Sequence, residues 1–246
     1  MRKFIGYFLT PIFYTCFALA LILFHPIQWL CLKIGGYTAH KKSVDILNFF
    51  LVACNYTLFN TVTFKDNKNL PTGHPIIFVA NHQSTFDIPS LIYFLRRFHG
   101  KFISKVELVH ANIPSISFNL KYGGAANIDR KDPKQSIAEI LKLANNMKQK
   151  RWSAFIFPEG TRTKTGEMKR FSVGGIATLL KKNPDALVVP IAINGSYLMV
   201  KYGMFPLRPF TPISWEVLEP LQTAGLNVEE IVKLAEDTIR LKVKHN

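Results

Sequence analysis

The N-terminal stretch reads as an almost unbroken apolar run, with no Lys, Arg, Asp or Glu between Phe4 and Leu32. A helix needs about 20 apolar residues to cross a bilayer core, so a membrane segment is predicted here. Pro11 interrupts its first half, and His25-Pro26 predicts a break before the run resumes from Ile27 to Ile34. The segment is expected either to span once or to turn back as a re-entrant or hairpin anchor. Arg2 and Lys3 precede it and Lys33, Lys41 and Lys42 follow, so both ends are expected on the cytoplasmic side. A cleaved signal peptide is disfavoured, because Ala18-Leu19-Ala20 lies inside the run rather than after it. From Lys41 to about Asn60, Val44, Ile46, Leu47, Phe50, Leu51 and Leu58 predict a second helix suited to a membrane interface.

Beyond this point the pattern changes to short apolar runs alternating with helical spacing, an α/β sequence. Strands are predicted at Thr61 to Phe64, Ile76 to Ala80, Ile103 to Lys105, Ser153 to Phe157, Ala186 to Ile193 and near Ile213 to Leu218. Asp132-Pro133 opens the clearest helix, as N-cap and first-turn proline. Its apolar face is formed by Ile137, Ile140, Leu141, Leu143 and Ala144. A further helix is expected from Val173 to Lys182. The last helix starts at Asn227, with Glu230 at capping-box spacing.

Composition sharpens the membrane reading. Lys and Arg number 31 against 16 Asp and Glu, a net charge of +15 that favours polyanionic partners. With 48% hydrophobic residues and 20 phenylalanines, an anionic lipid surface fits better than nucleic acid, for which no motif is present. Cys16, Cys31 and Cys54 lack metal-site or CxxC spacing and read as buried or lipid-facing thiols.

Candidate chemistry clusters where strands end. Asn81-His82 follows the strand Ile76 to Ala80, so His82 is expected at a carboxyl edge, where open α/β sheets place ligands. Asp87 lies close enough along the chain for a tight turn to bring its carboxylate to one ring nitrogen. On residue types alone, a general base and a buried structural hydrogen bond are both open. Ser84 and Thr85 are expected to serve the turn rather than act as nucleophiles. Phe157-Pro158-Glu159-Gly160-Thr161-Arg162 also follows a buried strand. Gly160 allows close backbone approach, Arg162 offers a fork matched to phosphate, and Glu159 is suited to hold a substrate hydroxyl or orient Arg162. A surface turn with a Glu-Arg pair is the bland alternative. Arg130, after Gly123 and Gly124, and Lys105, ending a strand, are further candidate phosphate contacts. A loop salt bridge and a solvated lysine are their ordinary explanations. Glu107 and His110 lack a third ligand, and no metal site is predicted.

Taken in order, these runs closely resemble the 1-acyl-sn-glycerol-3-phosphate acyltransferase family and its wider group of glycerolipid acyltransferases. N-H-x4-D corresponds to Asn81 to Asp87, an arginine-bearing block to Ile128 to Arg130, F-P-E-G-T-R to Phe157 to Arg162, and a fourth block to Val189-Pro190-Ile191. Lys169-Arg170-Phe171 and Gly174 sit where the family places a basic-aromatic-glycine stretch, while Ser117 stands where a glycine is common. The resemblance covers roughly residues 60 to 220. It implies an acyltransferase domain with a mixed central sheet flanked by helices over residues 61–246, preceded by membrane-anchoring helices over residues 1–60. It further implies His82 as base, Asp87 as its partner, and Arg130 and Arg162 near an acceptor phosphate. Lys105, Glu159, Gly160 and Thr161 are expected to complete the substrate site. The expected reaction moves a fatty acyl group from acyl-CoA or acyl-carrier protein, as co-substrate and without a cofactor, to the free hydroxyl of lysophosphatidate. The product is phosphatidic acid. Glycerol 3-phosphate, another lysophospholipid or a lyso-aminolipid are alternative acceptors, and a non-catalytic membrane-binding protein of the same fold is the rival from another class.

Overall fold

All five residues of β2 (Ile76–Ala80) are buried. Their alternation sends Ile76, Phe78 and Ala80 to one face and Ile77 and Val79 to the other. Such a strand needs cover on both sides, as in the interior of an α/β sheet. The computed structural model, which describes residues 1–244, places it within a seven-stranded sheet. The other strands are β1 (Thr61–Lys65), β3 (Gly100–Lys105), β4 (Ala126–Ile128), β5 (Ser153–Ile156), β6 (Leu187–Asn194) and β7 (Pro212–Val217). Their spatial order is β1-β7-β6-β2-β5-β3-β4, and only β6 with β7 is antiparallel. Hence β6, β2, β5, β3 and β4 deliver their carboxyl ends to one edge. The mixed, helix-flanked sheet expected from the sequence is present; the short β4 was not foreseen.

The face carrying Phe78, Phe155 and Trp215 is covered by α1 (Arg2–Ala53) and α2 (Asp87–Phe94), which contribute Phe13 and Leu91, with Leu95 just after α2. Two short helices, α3 (Glu107–His110) and α4 (Ile116–Tyr122), lie between β3 and β4. The opposite face is covered by α5 (Pro133–Lys150), α6 (Gly174–Lys182) and, beyond α7 (Ser196–Met199), α8 (Val228–Arg240). Helix α5 begins as its sequence predicts: Asp132 accepts the Gln135 N–H at 3.0 Å. It buries Ile140, Leu143, Ala144 and Met147, whereas Ile137, expected on that face, is exposed. Asn227 and Glu230 form the reciprocal capping box of α8.

The N-terminal segment departs from expectation in where it bends. Helix α1 runs through both Pro11 and Pro26 and breaks instead at Gly36, at φ 61° and ψ −156°, a region open essentially to glycine alone. Near each proline a hydroxyl serves the disturbed helix. Ser115 Oγ donates to the Leu21 carbonyl at 2.7 Å, beside the carbonyl that Pro26 leaves unmatched, and Thr10 Oγ donates to Gly6 O at 2.6 Å. The two arms of α1 fold back on each other at Gly36, so Leu21 packs with Leu47 and Leu51, and the Phe24 and Phe50 rings lie 5.7 Å apart. The two arms thus form a helical hairpin. Its second arm ends at Ala53, where a 3₁₀ turn (Cys54–Leu58) takes over, short of the predicted end at Asn60. The segment is long and apolar enough to cross a membrane. Phe4, Phe8, Ile22, Leu23, Trp29 and Ile34 are each more than half exposed, an apolar surface that a lipid environment accommodates.

Candidate active site

The loop leaving β2 is shaped around one carboxylate. Asp87, at the start of α2, is fully buried. Its Oδ2 accepts the backbone N–H groups of Gln83 and Ser84 at 2.8 and 2.9 Å and the His82 Nδ1–H at 3.0 Å. Because a carboxylate only accepts, the Nδ1 nitrogen carries the proton and His82 Nε2 is left with its lone pair free. Asp87 Oδ1 accepts the Ser196 hydroxyl at 2.5 Å. The His82 ring stacks on Phe157, centroids 4.0 Å apart and 13° from parallel, which fixes its plane. His82 remains partly accessible, its side chain 13% exposed against 0% for Asp87. A basic nitrogen at the surface, backed by a buried anion, is the arrangement of a general base.

The second loop is tied directly to the first. Glu159 accepts the His82 backbone N–H at 2.7 Å through Oε1 and the Lys169 N–H at 2.9 Å through Oε2, while Thr163 N–H donates to His82 O at 2.9 Å. Burial pushes the Glu159 carboxyl above the usual carboxylate range, and the two N–H donors pull it back. Both Glu159 oxygens thus serve backbone groups, so it holds the two loops in register; it forms no ion pair with Arg162 among the described residues. Glu159→Ala leaves two N–H groups without partners. It is expected to destabilise the fold by about 1–3 kcal/mol, read by thermal unfolding; unchanged unfolding would remove the brace.

The basic candidates stand at the same edge. Arg162 and Thr161 follow β5, the immediate neighbour of β2, and with Gly160, at φ 70°, they are exposed. Lys105 ends β3 and Arg130 follows β4, both exposed. At about 4.8 Å per strand, β3 lies roughly 10 Å from β2 and β4 roughly 14 Å, so the strand end carrying Lys105 is nearer to β2 than the one that precedes Arg130. Arg130 does not pair with Asp129, whose carboxylate accepts the Lys131 N–H instead. Glu107 and His110 lie on α3, and no third ligating side chain joins them among the described residues.

Three contributors had been given no role from the sequence, although Asn81 and Gln83 lie in the Asn81 to Asp87 run. Asn81 exchanges two hydrogen bonds with Ile193, at 2.8 and 2.9 Å, clamping the end of β2 to β6. Ser196 reaches Asp87 because Gly195 turns the chain at φ 85°, where an added Cβ would stand 2.0 Å from Pro212 O. Gln83 Oε1 accepts the Tyr197 N–H at 3.3 Å. For Ser196 the available signal was Gly195-Ser196 immediately after a buried strand parallel to β2. Ser84 Oγ accepts the Phe86 N–H at 3.2 Å and so serves the turn, as expected. A cavity of about 310 Å³ is lined by Thr85 and Phe86 of this loop, by Phe17 and Leu47 of α1 and by Phe102 and Phe155 of the sheet.

Residues 61–194 match the family described as Acyltransferase. A 1-acyl-sn-glycerol-3-phosphate acyltransferase of Chlamydomonas reinhardtii is 31% identical over 78% of this chain and 57% of its own length. A chloroplastic enzyme of the same name from Arabidopsis thaliana is 34% identical over 59% of the chain and 39% of its length. The chain thus spans less than two thirds of the length of these curated relatives. The crystal structure of a 1-acyl-sn-glycerophosphate acyltransferase from Thermotoga maritima superposes with a TM-score of 0.78 at 23% identity, covering 98% of this chain and 97% of that one, so the fold is shared.

Proposed function

Because the chain belongs to the acyltransferase family, we propose that it transfers a fatty acyl group from acyl-CoA or acyl-carrier protein to the free hydroxyl of 1-acyl-sn-glycerol 3-phosphate, giving phosphatidic acid. One observation carries this reading: a His82–Asp87 couple with a free Nε2 is bridged through Glu159 to a loop that presents Arg162 at the same edge. The couple supplies the base and the loop supplies the anion site; neither alone specifies acyl transfer to a phosphate-bearing alcohol.

His82 Nε2 takes the proton of the acceptor hydroxyl as its oxygen bonds to the thioester carbonyl carbon. The tetrahedral oxyanion then collapses, the C–S bond breaks, and the departing thiolate takes the proton back from the imidazolium. Buried Asp87 stabilises the imidazolium between these steps. Arg162, with Lys105 beside it and Arg130 at the margin, holds the phosphate, while Gly160 and Thr161 shape the backbone around it. The acyl chain lies in the cavity lined by Thr85 and Phe86. The α1 hairpin attaches the protein to a bilayer, with the active edge and both ends of the hairpin on the cytoplasmic face, where lipid substrates are concentrated. The basic surface favours anionic lipids and an acidic carrier protein.

The test is acyl transfer by the purified full chain in detergent or bilayers. One labelled acyl-CoA is offered with lysophosphatidate, glycerol 3-phosphate, other lysophospholipids and a lyso-aminolipid. Preferential acylation of lysophosphatidate is expected; binding to anionic vesicles without thioester consumption overturns the enzyme reading. Arg162→Ala is expected to raise the KM for lysophosphatidate about 10- to 100-fold, the loss of a charge-assisted contact, with a smaller change in kcat. Unchanged KM and kcat would remove its phosphate role.

A further inference from the structure

The cavity beneath the active loop changes character along its length. Much of its lining is apolar, including Phe17, Leu47, Leu51, Phe102 and Phe155. Its far end, under the bend of the α1 hairpin and the start of β3, is lined by Gln28, Tyr37, His40 and Lys101. Gln28 and His40 are fully buried. Both polar atoms of the Gln28 amide, both ring nitrogens of His40 and the Tyr37 hydroxyl find no hydrogen-bond partner in the protein. Buried polar atoms are matched in the great majority of folded proteins, so five unmatched atoms around one cavity mark a place where a ligand supplies the partners.

The chemistry of these atoms narrows the ligand. An amide and a neutral imidazole each offer both a donor and an acceptor, which complements a hydroxyl. A plain alkyl end would satisfy none of them. An anion is disfavoured because the nearby cations are engaged elsewhere. Lys41 donates to Asp45 and to Arg96 O, and the Lys101 ammonium lies over the Tyr37 and Trp152 rings at 4.9 and 4.7 Å, burial pulling it down to about 7. The five-residue run from Lys105, at the reacting edge, back to Lys101 spans about 13 Å, which places the polar end well along a bound chain.

Building on the acyl-transfer reading, we infer that this cavity selects a fatty acyl chain carrying a hydroxyl in its distal half, which Gln28 and His40 hold by hydrogen bonds. The experiment offers the full chain in detergent hexadecanoyl-CoA and a series of hexadecanoyl-CoA thioesters hydroxylated at successive distal carbons, in competition, with lysophosphatidate as acceptor. At least one hydroxylated member is expected to be used with a kcat/KM about tenfold above the unsubstituted chain, the selectivity of one buried hydrogen bond. In Gln28→Leu with His40→Phe that ratio is expected to fall to about one. Equal or lower kcat/KM for every hydroxylated member in the wild-type chain overturns the inference, and that measurement needs no variant to fold. Retention of the preference in the double variant overturns the assignment to these residues. Failure to consume the unsubstituted thioester as well is a different outcome: it overturns the acyl-transfer reading and this inference with it.

Discussion

Replacing His82 with alanine is expected to lower acyl transfer by about 10²–10⁴-fold, the contribution of a positioned general base. Asp87 Oδ2 holds Nδ1 at 3.0 Å, so Nε2 alone can accept the hydroxyl proton, and among the described residues no other imidazole or carboxylate bonds to either side chain of this couple. Alanine also removes the ring stacked on Phe157 at 4.0 Å. His82→Phe therefore serves as the matched variant: it keeps an aromatic ring, slightly larger, against Phe157 and removes both nitrogens. The two variants are expected to lose comparable activity, with His82→Phe the more stable in thermal unfolding. Turnover near the wild-type value in either, measured with labelled acyl-CoA, would remove His82 from the mechanism.

Asp87→Asn is expected to cost on the order of 10³–10⁴ in kcat while leaving the fold nearly intact. The separation of the two effects follows from the hydrogen bonds. An amide oxygen in place of Oδ2 can still accept the N–H groups of Gln83, Ser84 and His82. The amide nitrogen then faces the Ser196 and Ser84 hydroxyls, each of which can rotate to accept. What disappears is the negative charge that stabilises the imidazolium formed during the reaction. Asp87→Leu, by contrast, takes the acceptor from three N–H donors and the Ser196 hydroxyl in a buried site and is expected to destabilise by about 3–5 kcal/mol. Equal kcat for wild type and Asp87→Asn would show that the carboxylate is structural only. Equal unfolding temperatures for Asp87→Asn and Asp87→Leu would overturn the hydrogen-bond account.

The anchor illustrates how local rules compete. Pro26 forbids one helical hydrogen bond, and in water that favours ending the helix. Here Ser115, from the loop before α4, donates to the neighbouring Leu21 carbonyl, and His25 Nδ1 accepts the Ser115 N–H at 3.0 Å. Tertiary partners thus carry the helix past the proline. Gly36 has no such constraint, and the chain turns where a left-handed conformation costs least. The sequence contained both signals without their ranking, because the ranking depends on residues about 90 positions away.

The sequence by itself determined what local periodicity encodes: the apolar anchor, the buried β2, the capped helices α5 and α8, and two polar loops following strands. It also determined that His82 and Asp87 could meet, since five residues of turn are enough. Tertiary structure decided which distant groups complete the site. Ser196 lies 109 positions from Asp87 and reaches it because β6 pairs beside β2, and Glu159 reaches His82 across 77 positions because β5 pairs on the other side. Strand order comes from the packing of whole faces, of Phe78 against Phe155 and Ile77 against the α5 side, which no single stretch of chain contains. The same holds for the cavity with its polar end. Gln28, His40 and Lys101 come from three separate stretches of chain and share a surface only after the hairpin has closed over the sheet.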